Sequence, residues 1–521
     1  VDLRPSFGKV ASWLVLAVGL LLVVGCTKRV SPQRLTPSAV TSQTTKPAPI
    51  TKITLLQMND VYEITPVNNG KLGGLARVAT LRKQLLKENP NTYTLLAGDL
   101  FSPSALGTAK VNGERLDGKQ IVDVMNTLGL DYMTLGNHEF DVSQKAFENR
   151  IKESRFKIIS SNVFSPDGKL FSGVLENHIF TVEDKVNGPV RIGLFGVTLD
   201  SNKAAYVTYT KALETARKEV KALRDKVDVL IALTHLDYPS DLELARTTPG
   251  IDIILGGHEH ENMQFWRGEP LTPIFKADAN ATSVYIHDLL YNQKDHSLKI
   301  RSRLEQVTAV FTDDLETANV VQKWVAIASE GFAKDGFQAQ EVITETNIAL
   351  DGLEASVRNR PTELTKIIAN GMLHEAPGTE LALFNGGLIR IDDVIPPGKI
   401  TQYDVIRIMP FGGKIINIEM NGTLLKRVLD QSQKNKGMGG YLQTTPNVSL
   451  DATNKNWLLN DQPIYSDQTY KVAINDFLLT GKETGLDYLT PSNPNLRVVS
   501  ESIDVRRALI NELKRAFGPQ N

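Results

Sequence analysis

VDVLIALTHLD, residues 227–237, runs through the strand-forming residues Val229 to Thr234 and then stops on His235 and Asp237. Six other stretches repeat the pattern: ITLLQMND (53–60), TYTLLAGDLF (92–101), YMTLGNHEFD (132–141), FKIISSNVF (156–164), VRIGLFGVT (190–198) and IDIILGGHEH (251–260). Each is followed by a polar cluster or a helix-favouring segment, which argues for an α/β domain with helices packed on its sheets. Apolar residues at consecutive positions are expected where both faces of a sheet are covered. In such sheets ligands sit beyond the carboxyl ends of the strands, where these polar clusters fall.

Those ends collect Asp60, Asp99, Asn137, His138, Asp141, His235, His258 and His260, four of the eight histidines among them. Taken singly, each is a capped turn or a surface histidine. Together, imidazoles, carboxylates and an amide oxygen form the donor set for a pair of borderline-to-hard divalent cations, which one Asp can bridge. Gly98, Gly136, Gly256 and Gly257, just before the donors, permit sharp turns and close backbone approach.

The 521 residues exceed one ordinary core, so two domains plus extras are expected. A net charge of -1 gives no field that would draw the chain to a nucleic acid polymer. The single cysteine, Cys26, ends ASWLVLAVGLLLVVGC (11–26), behind Arg4 and Lys9. That has the form of a secretory signal, and VVGC resembles a bacterial lipobox, so Cys26 is the expected lipidation site and residues 1–26 the leader. An uncleaved anchor helix is the alternative. No disulfide can form within the chain. Residues 27–50, rich in Ser, Thr, Pro and Gln, read as a disordered tether. The expected location is the cell envelope, as a membrane-anchored lipoprotein.

In order, NDVY, GDLF, GNHEFD, THLD and GGHEH resemble the metal signature of the calcineurin-like metallophosphoesterases, within them the 5′-nucleotidase and UDP-sugar hydrolase group. FNGGLIR (384–390) and PFGGK (410–414) extend the resemblance to a second half. It implies a metallophosphoesterase α/β sandwich over 51–310, with mixed sheets flanked by helices, and an α+β 5′-nucleotidase-type recognition domain over 341–521. Segment 311–340, with Val320, Val321, Trp324 and Val325 at helical spacing, would be the linker helix about which the two domains of such proteins are thought to rotate.

By the same resemblance Asp60, Asp99 and His260 would hold one metal, and Asp99, Asn137, His235 and His258 the other. His138 would face the phosphate with Asp141 orienting it. Arg358, Arg390, Phe411, Gly439 and Phe477 would bind substrate, the two Phe residues enclosing a nucleobase. The implied cofactors are two divalent ions, Zn, Mn or similar. The implied partner is a nucleotide or another phosphorylated small molecule.

Four departures qualify this reading. Tyr62 stands where the family has a histidine ligand. It either binds an unusual ion such as ferric iron, or leaves its place to water, or weakens the site; the second ranks first. The family's ribose-binding Asp has no aligned counterpart in GKETGLDYLT (481–490), where only Glu483 and Asp487 are near. Gly413 and Glu354 replace a family Asn and Arg. The expected activity is therefore phosphate-ester hydrolysis on nucleotides or related compounds. Hydrolysis of 2′,3′-cyclic nucleotides or another phosphate ester is one alternative, and a non-catalytic surface binding lipoprotein on the same scaffold is the other.

Overall fold

The structure is a computed structural model, described for residues 49–518 apart from 452 and 454. The leader, Cys26 and residues 27–48 of the expected tether lie outside the described residues. Among the described residues no helix is long and apolar enough to cross a membrane. The end of the tether needs correction: Ile50 already belongs to the first strand, β1 (Ile50–Met58), where it pairs with Asn292.

Two sheets face each other in the first domain. One contains β1, β2 (Thr92–Leu96), β3 (Tyr132–Thr134), β4 (Lys157–Ile159) and β5 (Val174–Leu175) in parallel. The second is built on parallel strands around β8 (Val229–His235): β7 (Val190–Thr198) on one side, then β9 (Ile253–Gly256) and β11 (Thr272–Lys276) on the other. Antiparallel strands close the edges: β6 (Asn177–Val182) and β10 (Met263–Arg267) on the second sheet, β12 (Ser283–Asn292) and β13 (Leu298–Gln306) on the first. Both sheets are therefore mixed.

The sequence period accounts for the layers. Along β8, Val229, Ile231 and Leu233 point into the space between the sheets, against Ile53, Leu55 and Leu95. Leu230 and Ala232 point the other way, onto Ala216 and Leu244 of two covering helices, α3 (Ala212–Leu223) and α4 (Tyr238–Thr247). The first sheet is covered by α1 (Leu75–Glu88) and α2 (Lys119–Leu128), through Leu75, Val78, Ile121 and Val122. Side chains alternate faces every residue along a strand, so a run without polar gaps is what a strand buried on both sides requires.

Within the expected linker the helix is α5 (Leu315–Lys334), whose Asp314 side chain accepts from the Thr317 amide at 3.1 Å. Val321, Trp324 and Phe332 are buried, while Val320 and Val325 pack at the edge of the same core. The second domain has a five-stranded mixed sheet, β14 (Leu381–Asn385), β15 (Lys414–Asn421), β16 (Leu442–Thr444), β17 (Thr469–Asn475) and β18 (Leu496–Asp504), ordered β16-β14-β17-β15-β18. Helices α6 (Glu363–His374), α7 (Gly422–Lys434) and α8 (Val505–Phe517) accompany it. One apolar cluster runs without a break from α1 and α2, through α5, to Leu364 and Ile368 of α6 and Val505 and Leu509 of α8.

Candidate metal and phosphoester site

The parallel strands deliver their carboxyl ends to one edge of the sandwich. Asp60 follows β1, Asp99 follows β2, Asn137 and His138 follow β3, His235 ends β8 and His258 follows β9. Asp60, Asp99 and His258 all hold left-handed backbone conformations, with φ of 52°, 59° and 81°. Non-glycine residues there are strained and collect at functional sites. The turn after β3 is equally tight: a Cβ on Gly136 would lie 2.1 Å from Asp99 Oδ1, so only glycine fits.

The donors converge. His235 Nε2 lies 3.3 Å from Asp99 Oδ2, 3.9 Å from Asp60 Oδ1 and 3.1 Å from Asn137 Oδ1. Its Nδ1 donates to the Ala97 carbonyl at 2.7 Å, which leaves Nε2 facing the carboxylates. His260 Nε2 lies 3.6 Å from Asp60 Oδ1. The ring of His258 stands edge-on to that of His235, centroids 5.4 Å apart, and its amide donates to Asp60 Oδ2 at 2.9 Å. The Tyr62 hydroxyl sits inside this group, 3.0 Å from Asp99 Oδ2, 3.2 Å from Asp60 Oδ1 and 3.2 Å from His260 Nε2. Ligands bound to one cation at about 2.0–2.2 Å lie roughly 3–3.5 Å from one another, so the trio Asp60, Asp99 and His235 fits a metal ion in chemistry and in spacing.

The charges fit too. Asp60 and Asp99 are fully buried, which opposes their ionisation, yet the imidazoles beside them outweigh burial and hold both carboxyls below the usual range. His235 is raised to about 9, since Asp99 and Asp60 overcome the burial that disfavours its charge. His258 is lowered to about 4, by burial first and then by His235. Burial, then Asp99 and Asp60, hold the Tyr62 phenol well above its ordinary value, so a cation is needed before it ionises.

His138 and Asp141 lie on a short 3₁₀ turn, His138 Nδ1 2.7 Å from Asp141 Oδ2. Burial disfavours the imidazolium, but Asp141 and Asp99 prevail and raise its pKa. Asp141 is itself gripped by Asn202 Nδ2 at 2.8 Å and Ser102 Oγ at 3.3 Å, and Arg390 approaches to 3.8 Å.

Several contributors were missed by sequence reasoning. Glu139, fully buried, accepts the amides of Asp99 at 3.0 Å and Phe101 at 3.1 Å, clamping the β2 and β3 loops together. Burial and then Asp99 push its pKa up to about 7. Lys276, also fully buried, donates to the carbonyls of Leu236 at 2.7 Å and Gly257 at 2.9 Å, so one ammonium holds the loops behind His235 and His258. Glu139 lies within GNHE and could have been singled out there; nothing in the sequence around Lys276 marks it.

Three of the five expected recognition residues, Arg390, Phe411 and Phe477, gather next to Asp141, whereas Arg358 and Gly439 are not in the lining of the cavity there. A cavity of about 300 Å³ is lined by Asp141, Asn385, Arg390, Phe411, Asn475 and Phe477. The Arg390 guanidinium stands 5.6 Å from the Phe411 ring centroid, and its Nε is buried without a partner. Gly439 is packed against Gly387, whose amide donates to its carbonyl at 2.8 Å. Arg358 is paired with Glu354, the residue in place of the family's arginine. Of the two carboxylates left open by the sequence, Glu483 is half-buried among Asn385, Arg358 and Arg390, whereas Asp487 is exposed. Gly413 has its own reason: with φ at 125°, a Cβ there would lie 2.7 Å from Asp476 Oδ1.

Residues 53–262 match the calcineurin-like phosphoesterase family, and residues 342–490 match the C-terminal domain of 5′-nucleotidases. The chain belongs to the calcineurin-like phosphoesterases of the 5′-nucleotidase group. It is thus placed among metal-dependent phosphoric ester hydrolases. It is 28% identical over 488 residues to the Trifunctional nucleotide phosphoesterase protein YfkN of Bacillus subtilis, covering 82% of this chain and 32% of that one, so it spans about a third of that relative. It is 25% identical to the 5′-nucleotidase of Mus musculus, over 92% of this chain and 88% of that one. In fold it is similar to the 5′-nucleotidase precursor of Thermus thermophilus, with a TM-score of 0.75, 24% identity, and 90% and 97% of the two chains covered.

Proposed function

We propose that this phosphoesterase is a lipid-anchored envelope enzyme, attached through Cys26, that hydrolyses nucleotides or related phosphorylated small molecules at a dinuclear centre. The observation that carries the reading is the adjacency of two features: the buried donor group around Asp99, and the cavity of Arg390, Phe411 and Phe477, which is lined by Asp141, the partner of His138. Asp60, Asp99, His260 and Tyr62 would hold one cation, and Asp99, Asn137, His235 and His258 the other. Held by these residues, divalent cations would supply Lewis-acid stabilisation of phosphoryl charge and a water made nucleophilic at neutral pH.

The remaining work falls to the chain's own side chains. Arg390, with a free Nε, takes a phosphoryl oxygen or another anionic group of the substrate. Phe411 and Phe477 offer apolar faces to a flat ring. Glu483 accepts the sugar hydroxyls, its longer side chain reaching from a different position to do what a ribose-binding Asp would do. His138, with Nδ1 tied to Asp141, presents Nε2 to the leaving oxygen and donates its proton there. Ferric iron becomes the favoured occupant beside Tyr62 if the phenol ionises on binding. The location of the phenol oxygen among the donors supports its serving as a ligand over its place going to water.

Phosphate release from a panel of nucleoside 5′-monophosphates, UDP-sugars, 2′,3′-cyclic nucleotides and an aryl phosphate, with metal content of the same samples, tests this. Asp99→Asn is expected to abolish hydrolysis and lower bound metal. His138→Ala is expected to keep the metal and lose most of kcat. Equal metal loss in both would contradict the roles. Release from the cyclic esters alone would favour the alternative of 2′,3′-cyclic nucleotide hydrolysis.

A further inference from the structure

The two domains meet at a metal-ligand candidate. Asp392 lies in the second domain, two residues past Arg390, and its Oδ2 is hydrogen-bonded to Nδ1 of His260 in the first. Its other oxygen, Oδ1, accepts the Glu354 amide at 2.6 Å, so the carboxylate is anchored in its own domain while it reaches across. The Asp392 backbone is left-handed, at φ 38°, a conformation Asp tolerates better than most residues. Both side chains are mostly shielded, at 18% exposure for His260 and 16% for Asp392.

An imidazole that gives its Nδ1 proton to a carboxylate keeps the Nε2 lone pair for a cation, and the partner fixes the orientation of the ring. His260 Nε2 is turned toward Asp60 and Tyr62. His235 has the same arrangement, but its Nδ1 partner, the Ala97 carbonyl, comes from its own domain. The loop that brings Asp392 also brings Arg390 to within 3.8 Å of Asp141. A single segment of the second domain thus touches both His260 and the partner of His138.

We propose that Asp392 is a positioning residue for His260, so that the second domain completes the binding site of the first cation. This rests on the dinuclear reading given above. By linkage, seating of the second domain tightens the first cation, and the cation in turn holds the second domain in place to the same degree.

The test uses the full chain stripped of metal and titrated with Mn(II), the two dissociation constants being measured by calorimetry and by electron paramagnetic resonance. Asp392→Asn keeps size and backbone preference, and Asp392→Gly keeps the left-handed backbone. Both are expected to weaken the first site by about 10- to 100-fold, Gly more than Asn, and to leave the second unchanged. Hydrogen exchange of residues 385–393 is expected to slow on adding Mn(II) to wild type and to respond less in the variants. A wild type with two sites and variants with the same two constants would overturn the role of Asp392 while leaving the dinuclear reading intact. A wild type that binds fewer than two ions would overturn both. Unchanged thermal melting of the metal-free Asn variant separates loss of positioning from loss of fold.

Discussion

Tyr62 concentrates the difference between this site and its family pattern. A phenol 3.0–3.2 Å from two carboxylates and an imidazole is held protonated by burial and by those carboxylates, and on the reading proposed above it would become a ligand only when a cation arrives. Cation binding would then include the cost of removing a tightly held proton. Tyr62→His is expected to bind the first cation more tightly at neutral pH and Tyr62→Phe more weakly, with the second cation unaffected, as competition with a chromophoric chelator would report. If ferric iron occupies the site, wild type carries a visible charge-transfer band that Tyr62→Phe removes. A Phe variant with wild-type metal affinity would show that the phenol oxygen is not a ligand. The local signals at this scale were readable because each motif is a few residues long and ends its own strand. Lys276 was not, because its partners Leu236 and Gly257 are 40 and 19 positions away and a lone lysine after an apolar strand ordinarily faces solvent.

Among elements, the three neighbouring strands β1, β12 and β13 share a buried polar contact. His287 of β12 places Nε2 3.0 Å from Gln57 Oε1 of β1 and Nδ1 2.7 Å from Ser302 Oγ of β13, with the Phe275 ring 4.7 Å away. Burial pushes its pKa down to about 3, so it is neutral in the folded protein. In an unfolded chain it takes a proton near pH 6.5. Its contribution is thus intact above pH 6.5 and is lost as the pH falls toward 3, because only the unfolded state gains the proton. The stability of the whole protein is expected to drop by about 2 kcal/mol from this group between pH 7.5 and pH 5. Urea unfolding at the two pH values would measure it, and His287→Gln should flatten the acid limb; an equally steep limb in the variant would assign the loss elsewhere. The strands themselves were legible from their apolar runs. The pairing order was not, since β12 and β13 join β1 from more than two hundred residues later, and only the closed sheet reveals that neighbour.

Across the whole molecule the connecting helix α5 is part of the core it joins. Trp324 is 6% exposed, and its indole N–H donates to Asp123 Oδ2 of α2 at 2.8 Å. Trp324→Ala removes that bond and leaves a large void, and is expected to cost about 3–5 kcal/mol. Because the apolar cluster runs through the helix into α6 and α8, the loss should appear as one lowered calorimetric transition. Two separate transitions, only one of them shifted, would show that the halves unfold independently. The spacing of Val321 and Trp324 made the helix legible, whereas the contacts across the domains, Asp392 with His260 and the Tyr403 hydroxyl with Glu63 at 3.0 Å, pair side chains that no local pattern relates. The unbroken cluster also bears on anyone dividing the gene. A polypeptide ending near residue 340 and another beginning there would each expose an oily flank made for the other, so each produced alone would tend to precipitate, while the two produced in one cell would find each other and rebuild the enzyme from separate chains.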